Sequence, residues 1–276
     1  MESHLNEAQM KEKTRQLRVS ILQMLYDAGS GHPGGSLSSA DILGVLFYNI
    51  MKHDPGNPGW TERDRFILSK GHICPALYAV LADCGYFPAG ELKKLRKYGS
   101  ILQGHPSSER TPGVEVSSGS LGQGLSISVG LALGARLNDE RHRVYCLMGD
   151  GELQEGQVWE AAMAAGHYKL DQLCGIIDNN GLQIDGRVSD VMSVYPLKEK
   201  WQAFNWNVIE VDGHDVVGLE KAFRQAEAYK GKPTVLIAHT IKGKGVSFME
   251  NSAGWHGVAP DREQFEAAME ELNDRF

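Results

Sequence analysis

Two short turns hold residue types that can do metal and phosphate chemistry, Gly149-Asp150-Gly151 and Asp178-Asn179-Asn180. An apolar run delivers each, RVYCLM the first and QLCGII the second, and 27 residues separate GDG from NN. The Asp150 carboxylate and the Asn180 side-chain carbonyl are hard oxygen donors. With one backbone carbonyl they suit Mg²⁺ or Ca²⁺, the remaining positions going to water and to a ligand's phosphates. Glycine on both sides of Asp150 lets a diphosphate approach the backbone, and the following helix N-terminus favours its charge. The same residues also fit structural duties, with Asp150 capping a helix and the asparagines closing a turn. Turn chemistry alone leaves both readings open.

Four of the ten histidines, His32, His72, His105 and His256, lie in turns rich in Gly, Ser or Pro rather than on a helical face. Imidazole in such a turn can exchange a proton near neutral pH, which suits sugar hydroxyls and carbonyls. His4, His53, His142, His167, His214 and His239 read as ordinary surface or packing residues. GSLGQG and IKGKG look like nucleotide loops, but neither fits GxGxxG or the P-loop pattern, so a nicotinamide-dependent dehydrogenase is a poor reading.

The elements that must position these turns are legible from periodicity. Residues 5–28 carry Leu17, Ile21, Leu22 and Leu25 at helical spacing. That helix should stop at GSGHPGGS, a cluster that cannot stay helical. Ser38 or Ser39 can then cap a second helix, ADILGVLFYNIM. Its residues Leu43, Leu46 and Phe47 read as core or as a subunit contact. RFILS, RVYCLM, QLCGIID, NVIEVDG and TVLIAHT read as strands. Helices are expected over ALYAVLADCGYF, LSISVGLALGARL, QEGQVWEAAMAAGHY and residues 196–204 and 215–229. Residues 99–124 show no periodicity and form a long irregular connection of the kind that often carries function. Continuous apolar strands alternating with amphipathic helices predict an α/β fold, a largely parallel sheet flanked by helices on both faces. Residues 1–276 read as a single domain with a helical N-terminal layer over about 1–60. The site then belongs outside the carboxyl ends of the strands.

The chain has 276 residues, 42% of them apolar, enough for a sizeable core. A net charge of -7 argues against nucleic acid as a partner. The polar start, MESHLNEAQMKEKTRQ, lacks a secretory apolar segment, and no run is long enough to span a bilayer. Cys74, Cys84, Cys146 and Cys174 are widely spaced, without a zinc pattern, as expected of reduced thiols in the cytoplasm.

The GDG and NN turns with their spacing resemble the thiamine diphosphate fingerprint, and GDGELQEGQVWEAA resembles the transketolase family specifically. The likeness continues through GSGHPGGSLS, DRFILSKGH, QGHP, SSGSLGQGLS, NNGLQIDG, VDGHD and IKGKGVSFMENSAGWHGVAP, across nearly the whole chain. The resemblance implies the thiamine-diphosphate-binding fold of the family's N-terminal, diphosphate-binding domain. By that resemblance Asp150, Asn180 and the main-chain carbonyl of Leu182 hold Mg²⁺, or Ca²⁺ in its place. Gly151 and the Gly119-Ser120-Leu121 turn touch the cofactor, and His72 sits beside its diphosphate. His32 and His256 lie near the reacting sugar, and His105 near the substrate's first hydroxyls. Lys242 matches the animal-type version of its loop, a lysine that many microbial members lack. Glu155 and Glu160 match acidic residues at the subunit contact that link paired sites.

In the family a second, pyrimidine-binding domain supplies a glutamate to the cofactor's pyrimidine, and arginines for the sugar phosphate. The chain stops at DREQFEAAMEELNDRF before such a domain. It therefore resembles a natural N-terminal subunit of a split transketolase rather than an expressed fragment. The expected assembly is an α2β2 heterotetramer with a C-terminal subunit. It would transfer a two-carbon ketol unit from a ketose phosphate to an aldose. A 1-deoxyxylulose-5-phosphate synthase-like or 2-oxo-acid dehydrogenase-like subunit is the alternative within the fold. A non-catalytic binding subunit is the alternative outside enzymology.

Overall fold

Asn6 opens the first helix with a reciprocal cap. Its side chain accepts the Gln9 N–H at 3.0 Å, and the Gln9 side chain accepts the Asn6 N–H at 2.9 Å. The structure, a computed structural model, describes residues 4–274. It continues the helix as α1 (Glu7–Ala28), which Gly29 closes with a left-handed φ of 59°. The GSGHPGGS cluster departs from expectation, because Pro33–Ser38 forms a short helix, α2. Pro33 stands in its first turn, where a missing N–H costs nothing. α3 (Ala40–Val45) follows and passes into a π-helical turn, Leu46–Ile50. Ser39 stands at the N-cap position of α3, but no side-chain capping bond forms. Both hydroxyls bond Asp178 instead, Ser38 at 2.6 Å and Ser39 at 3.2 Å. Leu43, Leu46 and Phe47 are buried in the core.

β1 (Arg65–Leu68) and α4 (Cys74–Asp83) come next, and no helix or strand occupies residues 95–122. α5 (Gln123–Leu137), β2 (Val144–Gly149), α6 (Gly156–Tyr168) and β3 (Leu173–Asn179) then alternate. A small hairpin of β4 (Leu182–Gln183) and β5 (Gly186–Arg187), which hydrophobic periodicity does not announce, precedes α7 (Val188–Met192) and α8 (Leu197–Ala203). β6 (Asn207–Asp212), α9 (Val216–Ala228), β7 (Thr234–His239) and α10 (Arg262–Asp274) complete the order.

The five main strands form one sheet in the order β1-β2-β3-β7-β6, with every neighbouring pair parallel. Successive side chains point to opposite faces. Phe66, Leu147, Ile176 and Leu236 therefore pack with α1, α3, α4 and α9. Ile67, Cys146, Ile177 and Ile237 pack with α5, α6 and α8. Complete burial of each aliphatic side chain contributes about 1.5–3 kcal/mol. Helical cover on both faces is what allows these strands to be apolar throughout.

Register decides where the two turns go. Gly149 on β2 is opposite Asp178 on β3, and Asn179 is opposite His239 on β7. Parallel strands thus deliver GDG and DNN side by side at the carboxyl edge of the sheet. Among the described residues no helix is long and apolar enough to cross a membrane. All four cysteines are free thiols.

Candidate active site

Asp150 is buried at 2% exposure, and its carboxylate accepts two backbone N–H groups, Gly151 at 2.8 Å and Gly181 at 2.5 Å. The capping role and the ligand role are therefore compatible. The second bond draws the loop after Asn180 toward the first turn. Asn180 Oδ1 accepts the Leu182 N–H at 3.1 Å, and its amide donates to Asp178 at 3.1 Å. No Lys or Arg pairs with Asp150 among the ion pairs of the described residues. Burial, and then the charge of Asp178, push its carboxyl up to about 6. A buried carboxylate without a cation is the donor that a divalent metal would complete, and Asn180 Oδ1 and the Leu182 carbonyl lie on the adjoining loop. The residues present fit a metal. A Cβ on Gly151 would come within 3.2 Å of Gln183 Cβ, a tight approach that glycine avoids, and this face of the turn is bare backbone.

Asp178 is a residue to which the turn motifs assign no role. It is fully buried and accepts from Lys70, Ser38, Ser39, Thr240 and Asn180. Burial opposes its charge, but the buried Lys70 ammonium and these hydrogen bonds hold it down to about 2. The network ties α2, β3 and the loop after β7 into one floor under Asn180. Glu152 does the same for the other turn. Its carboxylate accepts from Ser69, from Gly122 N–H at 2.8 Å and from Gly149 N–H at 3.0 Å. Lys70 and Glu152 are visible as charges beside apolar strands, in SKGH and GDGE, but periodicity does not say which charges are buried.

Three of the four turn histidines meet. The ring centroids of His32 and His72 are 5.1 Å apart, those of His72 and His256 5.2 Å, and those of His32 and His256 5.5 Å. Each arrives on a separate short turn. His32 precedes α2, His72 lies in the 3-10 turn Gly71–Ile73, and His256 follows the 3-10 turn Ala253–Trp255. Burial is the main cause that lowers all three, to about 4 for His32, about 2 for His72 and about 3 for His256. Neighbouring charges add to it, Arg96 on His32, Lys70 on His72 and Lys242 on His256. At neutral pH the cluster is uncharged, and its free nitrogens can accept hydrogen bonds. Among the described residues His32 Nδ1 is buried without a hydrogen-bond partner, a position a ligand could fill.

His105 stands at the exposed margin of this cluster, lowered by burial and then by Arg96. Its ring lies against Gly119, where a Cβ would come within 3.3 Å. Gly71 in turn backs onto Ser118 and Gly119, so the turn carrying His72 and the Gly119-Ser120-Leu121 turn pack directly together. Arg96 Nη1 donates to Ser30 at 2.7 Å, which brings a positive charge to the edge of the site.

Lys242 is buried at 2% exposure, and Nζ donates to His256 Nδ1 at 3.1 Å and to the Leu182 carbonyl at 3.3 Å. It joins the histidine cluster to the Asp150–Asn180 turns. Its stem crosses Gly34, where a Cβ would meet Lys242 Cγ at 3.0 Å. Glu155 and Glu160 are both exposed at the start of α6, and Glu155 packs against Gly122, next to the Gly119-Ser120-Leu121 turn. A cavity of about 330 Å³ lined by Phe47, His53, Arg63, Tyr86 and Glu115 lies away from these histidines.

Comparison with known proteins agrees with this geometry. Residues 8–273 match the family described as transketolase, thiamine diphosphate binding domain. The chain is 45% identical to an apulose-4-phosphate transketolase subunit of Phocaeicola vulgatus, over 94% of this chain and 92% of that one. It is 44% identical to the 6-deoxy-6-sulfo-D-fructose transketolase subunit SqwG of a Clostridium species, over 95% and 96%. Among solved structures, the transketolase of Campylobacter jejuni superposes with a TM-score of 0.92 at 37% identity. That match covers 98% of this chain, which spans only 43% of the length of the Campylobacter protein. The bare glycine cradle, the buried carboxylate and the histidine triangle sit on a chain that belongs to the transketolase family, as its thiamine diphosphate-binding domain.

Proposed function

We propose that this chain is the N-terminal subunit of a two-subunit transketolase, working in the cytoplasm with a C-terminal-type partner. The assembled enzyme transfers a two-carbon ketol unit from a ketose phosphate to an aldose. The observation that carries the reading is the joint presence of an unpaired buried Asp150 and a neutral histidine cluster bridged by Lys242. Relatives 45% and 44% identical to this chain are themselves named as transketolase subunits, which supports the split arrangement. The relatives named as transketolase subunits are covered over 92% and 96% of their chains, the human transketolase over 42%.

In this reading Asp150, Asn180 Oδ1 and the Leu182 carbonyl hold a divalent cation, Mg²⁺ or Ca²⁺ in its place. Gly151, the Gly119-Ser120-Leu121 turn, His72 and Lys242 receive the diphosphate. Bound thiamine diphosphate supplies a carbon nucleophile and an electron sink beside a carbonyl group. The protein's own part is proton handling. His32, neutral and with Nδ1 free, takes the proton of a sugar hydroxyl and returns it. His256 accepts from Lys242 at Nδ1, so its hydrogen is on Nε2, where it donates to a substrate oxygen. His105 orients the first hydroxyls from the margin of the site. The partner contributes the glutamate facing the pyrimidine and the groups for the sugar phosphate. Glu155 and Glu160, exposed on α6, face the second copy in an α2β2 heterotetramer.

The test is ketol transfer from xylulose 5-phosphate to ribose 5-phosphate with Mg²⁺ and thiamine diphosphate. It is run on the chain alone and then with a co-expressed C-terminal subunit. Turnover only with the partner is expected. Turnover by the chain alone would sink the two-subunit reading.

A further inference from the structure

We propose that Arg18, Asp41 and His214 form a buried clamp that positions Lys242 by gripping the main chain on both sides of it. The role of Lys242 rests on the function proposed above, and the clamp is a property of this chain's own contacts. His214, in VDGHD, belongs to the histidines that read as ordinary surface or packing residues. Its Nε2 accepts the Ile241 N–H at 2.8 Å, immediately before Lys242. A main-chain N–H can only donate, so Nε2 carries the lone pair and Nδ1 carries the hydrogen. Nδ1 donates that hydrogen to Asp41 Oδ2 at 2.8 Å.

Asp41 is also held by Arg18 in a fork, Nη1 at 3.0 Å and Nη2 at 2.6 Å. The remaining arm of Arg18, Nε, donates to the Lys244 carbonyl at 3.1 Å, two residues after Lys242. One carboxylate on α3 thus fixes an imidazole and a guanidinium, and each grips one end of the segment between Ile241 and Lys244. The segment itself is short of repeating structure. Gly243 and Gly245 have φ values of 79° and 99°, and Gly243 N–H bonds the Gly34 carbonyl at 2.9 Å. The Asn251 N–H also bonds the Lys242 carbonyl at 2.9 Å, and the grips at the two ends add to these inner anchors in fixing the path of the loop. Arg18 and Asp41 are 2% and 5% exposed, so the ion pair that holds both grips is buried. His214 is a positioning residue, acting on the site through Lys242.

The test reads the chemical accessibility of Lys242 and needs no turnover. The chain is acetylated with an N-hydroxysuccinimide ester, and modification of each lysine is followed by mass spectrometry. Lys242, buried, reacts only when its loop opens. His214→Ala should raise its labelling rate about tenfold, the factor that one lost hydrogen bond of ordinary strength gives. Trp206→Phe, which weakens the core layer on the opposite face of the sheet, should leave that rate unchanged. Equal rates in wild type and His214→Ala, or equal acceleration by Trp206→Phe, would overturn the clamp. If His214→Ala does not fold, Arg18→Lys removes the grip on Lys244 while keeping a charge beside Asp41. It too should speed labelling, and an unchanged rate would overturn the clamp. Shielding of wild-type Lys242 by Mg²⁺ with thiamine diphosphate reads the cofactor assignment separately. Its absence would count against that assignment and leave the clamp standing.

Discussion

Lys242 Nζ lies 3.1 Å from His256 Nδ1 and 3.3 Å from the Leu182 carbonyl, so one buried ammonium spans the histidine cluster and the second turn. The ammonium can only donate, which fixes the His256 tautomer. Lys242→Met keeps most of the stem packed on Gly34 and deletes the charge and both bonds. Hydrogen bonds to charged groups contribute about 1.5–3 kcal/mol. The expected result is a ten- to hundredfold loss in kcat/KM of the assembled enzyme, with a weaker apparent affinity for thiamine diphosphate. Unchanged values in cofactor titrations and steady-state assays would remove Lys242 from the site.

Asp150 sets cofactor retention against stability. A carboxylate at 2% exposure with no cationic partner is costly to bury, and Asp178 nearby adds repulsion. Asp150→Asn removes the charge at nearly constant shape and leaves an acceptor for one of the two N–H groups. The isolated chain should gain about 1 kcal/mol in urea unfolding, as functional sites commonly give up stability. The same variant should lose the Mg²⁺-dependent part of thiamine diphosphate binding by isothermal titration in the complex. Lower stability together with intact metal-dependent binding would contradict both expectations.

Much of this is legible in the chain. Apolar continuity in RVYCLM and QLCGII announces strands buried on both faces, and parallel order then follows from the helices between them. The thiamine diphosphate likeness is carried by GDG and NN because bare backbone and hard oxygen donors admit few substitutes. What stays hidden is contact at long sequence range. Ser38 and Ser39 look like helix caps, yet Asp178, some 140 residues away, takes their hydroxyls. GSGHPGGS looks too broken for a helix, but Pro33 stands where proline is tolerated and Gly34 is needed beneath Lys242. His214 reads as a surface or packing residue in its turn, and its partners Asp41 and Ile241 lie 173 and 27 residues away.

The histidine triangle makes stability pH-dependent. His32, His72 and His256 are lowered to about 4, 2 and 3 in the fold, against an ordinary value of 6.5. Between these values and 6.5 the unfolded chain binds protons that the folded chain does not. Stability is therefore full above about pH 7 and falls as pH drops through 6.5 toward 4. Asparagine at position 72 cannot protonate. His72→Asn should flatten the slope of unfolding free energy between pH 7 and 5 relative to wild type. An identical slope would mean that the ring titrates alike in the folded and unfolded chains.

Arg18→Met separates the ion pair from the packing beneath it. Burial opposes the Asp41 charge, but the Arg18 guanidinium and the His214 hydrogen bond hold its carboxyl well below the usual range. Methionine retains much of the aliphatic stem and leaves that carboxylate with His214 alone. Removing one partner of a buried pair costs about 3–5 kcal/mol, because the other charge stays desolvated. Pairing Arg18→Met with Asp41→Leu removes the second charge as well and should recover a large part of that loss. The double variant should still show a loosened Lys242 segment, since the Lys244 carbonyl and the Ile241 N–H would then both lack their fixed partners. Unfolding curves and hydrogen exchange over residues 240–245 give the two readouts. Recovered stability with a tight segment would mean that the ion pair holds the core and leaves the loop to other contacts.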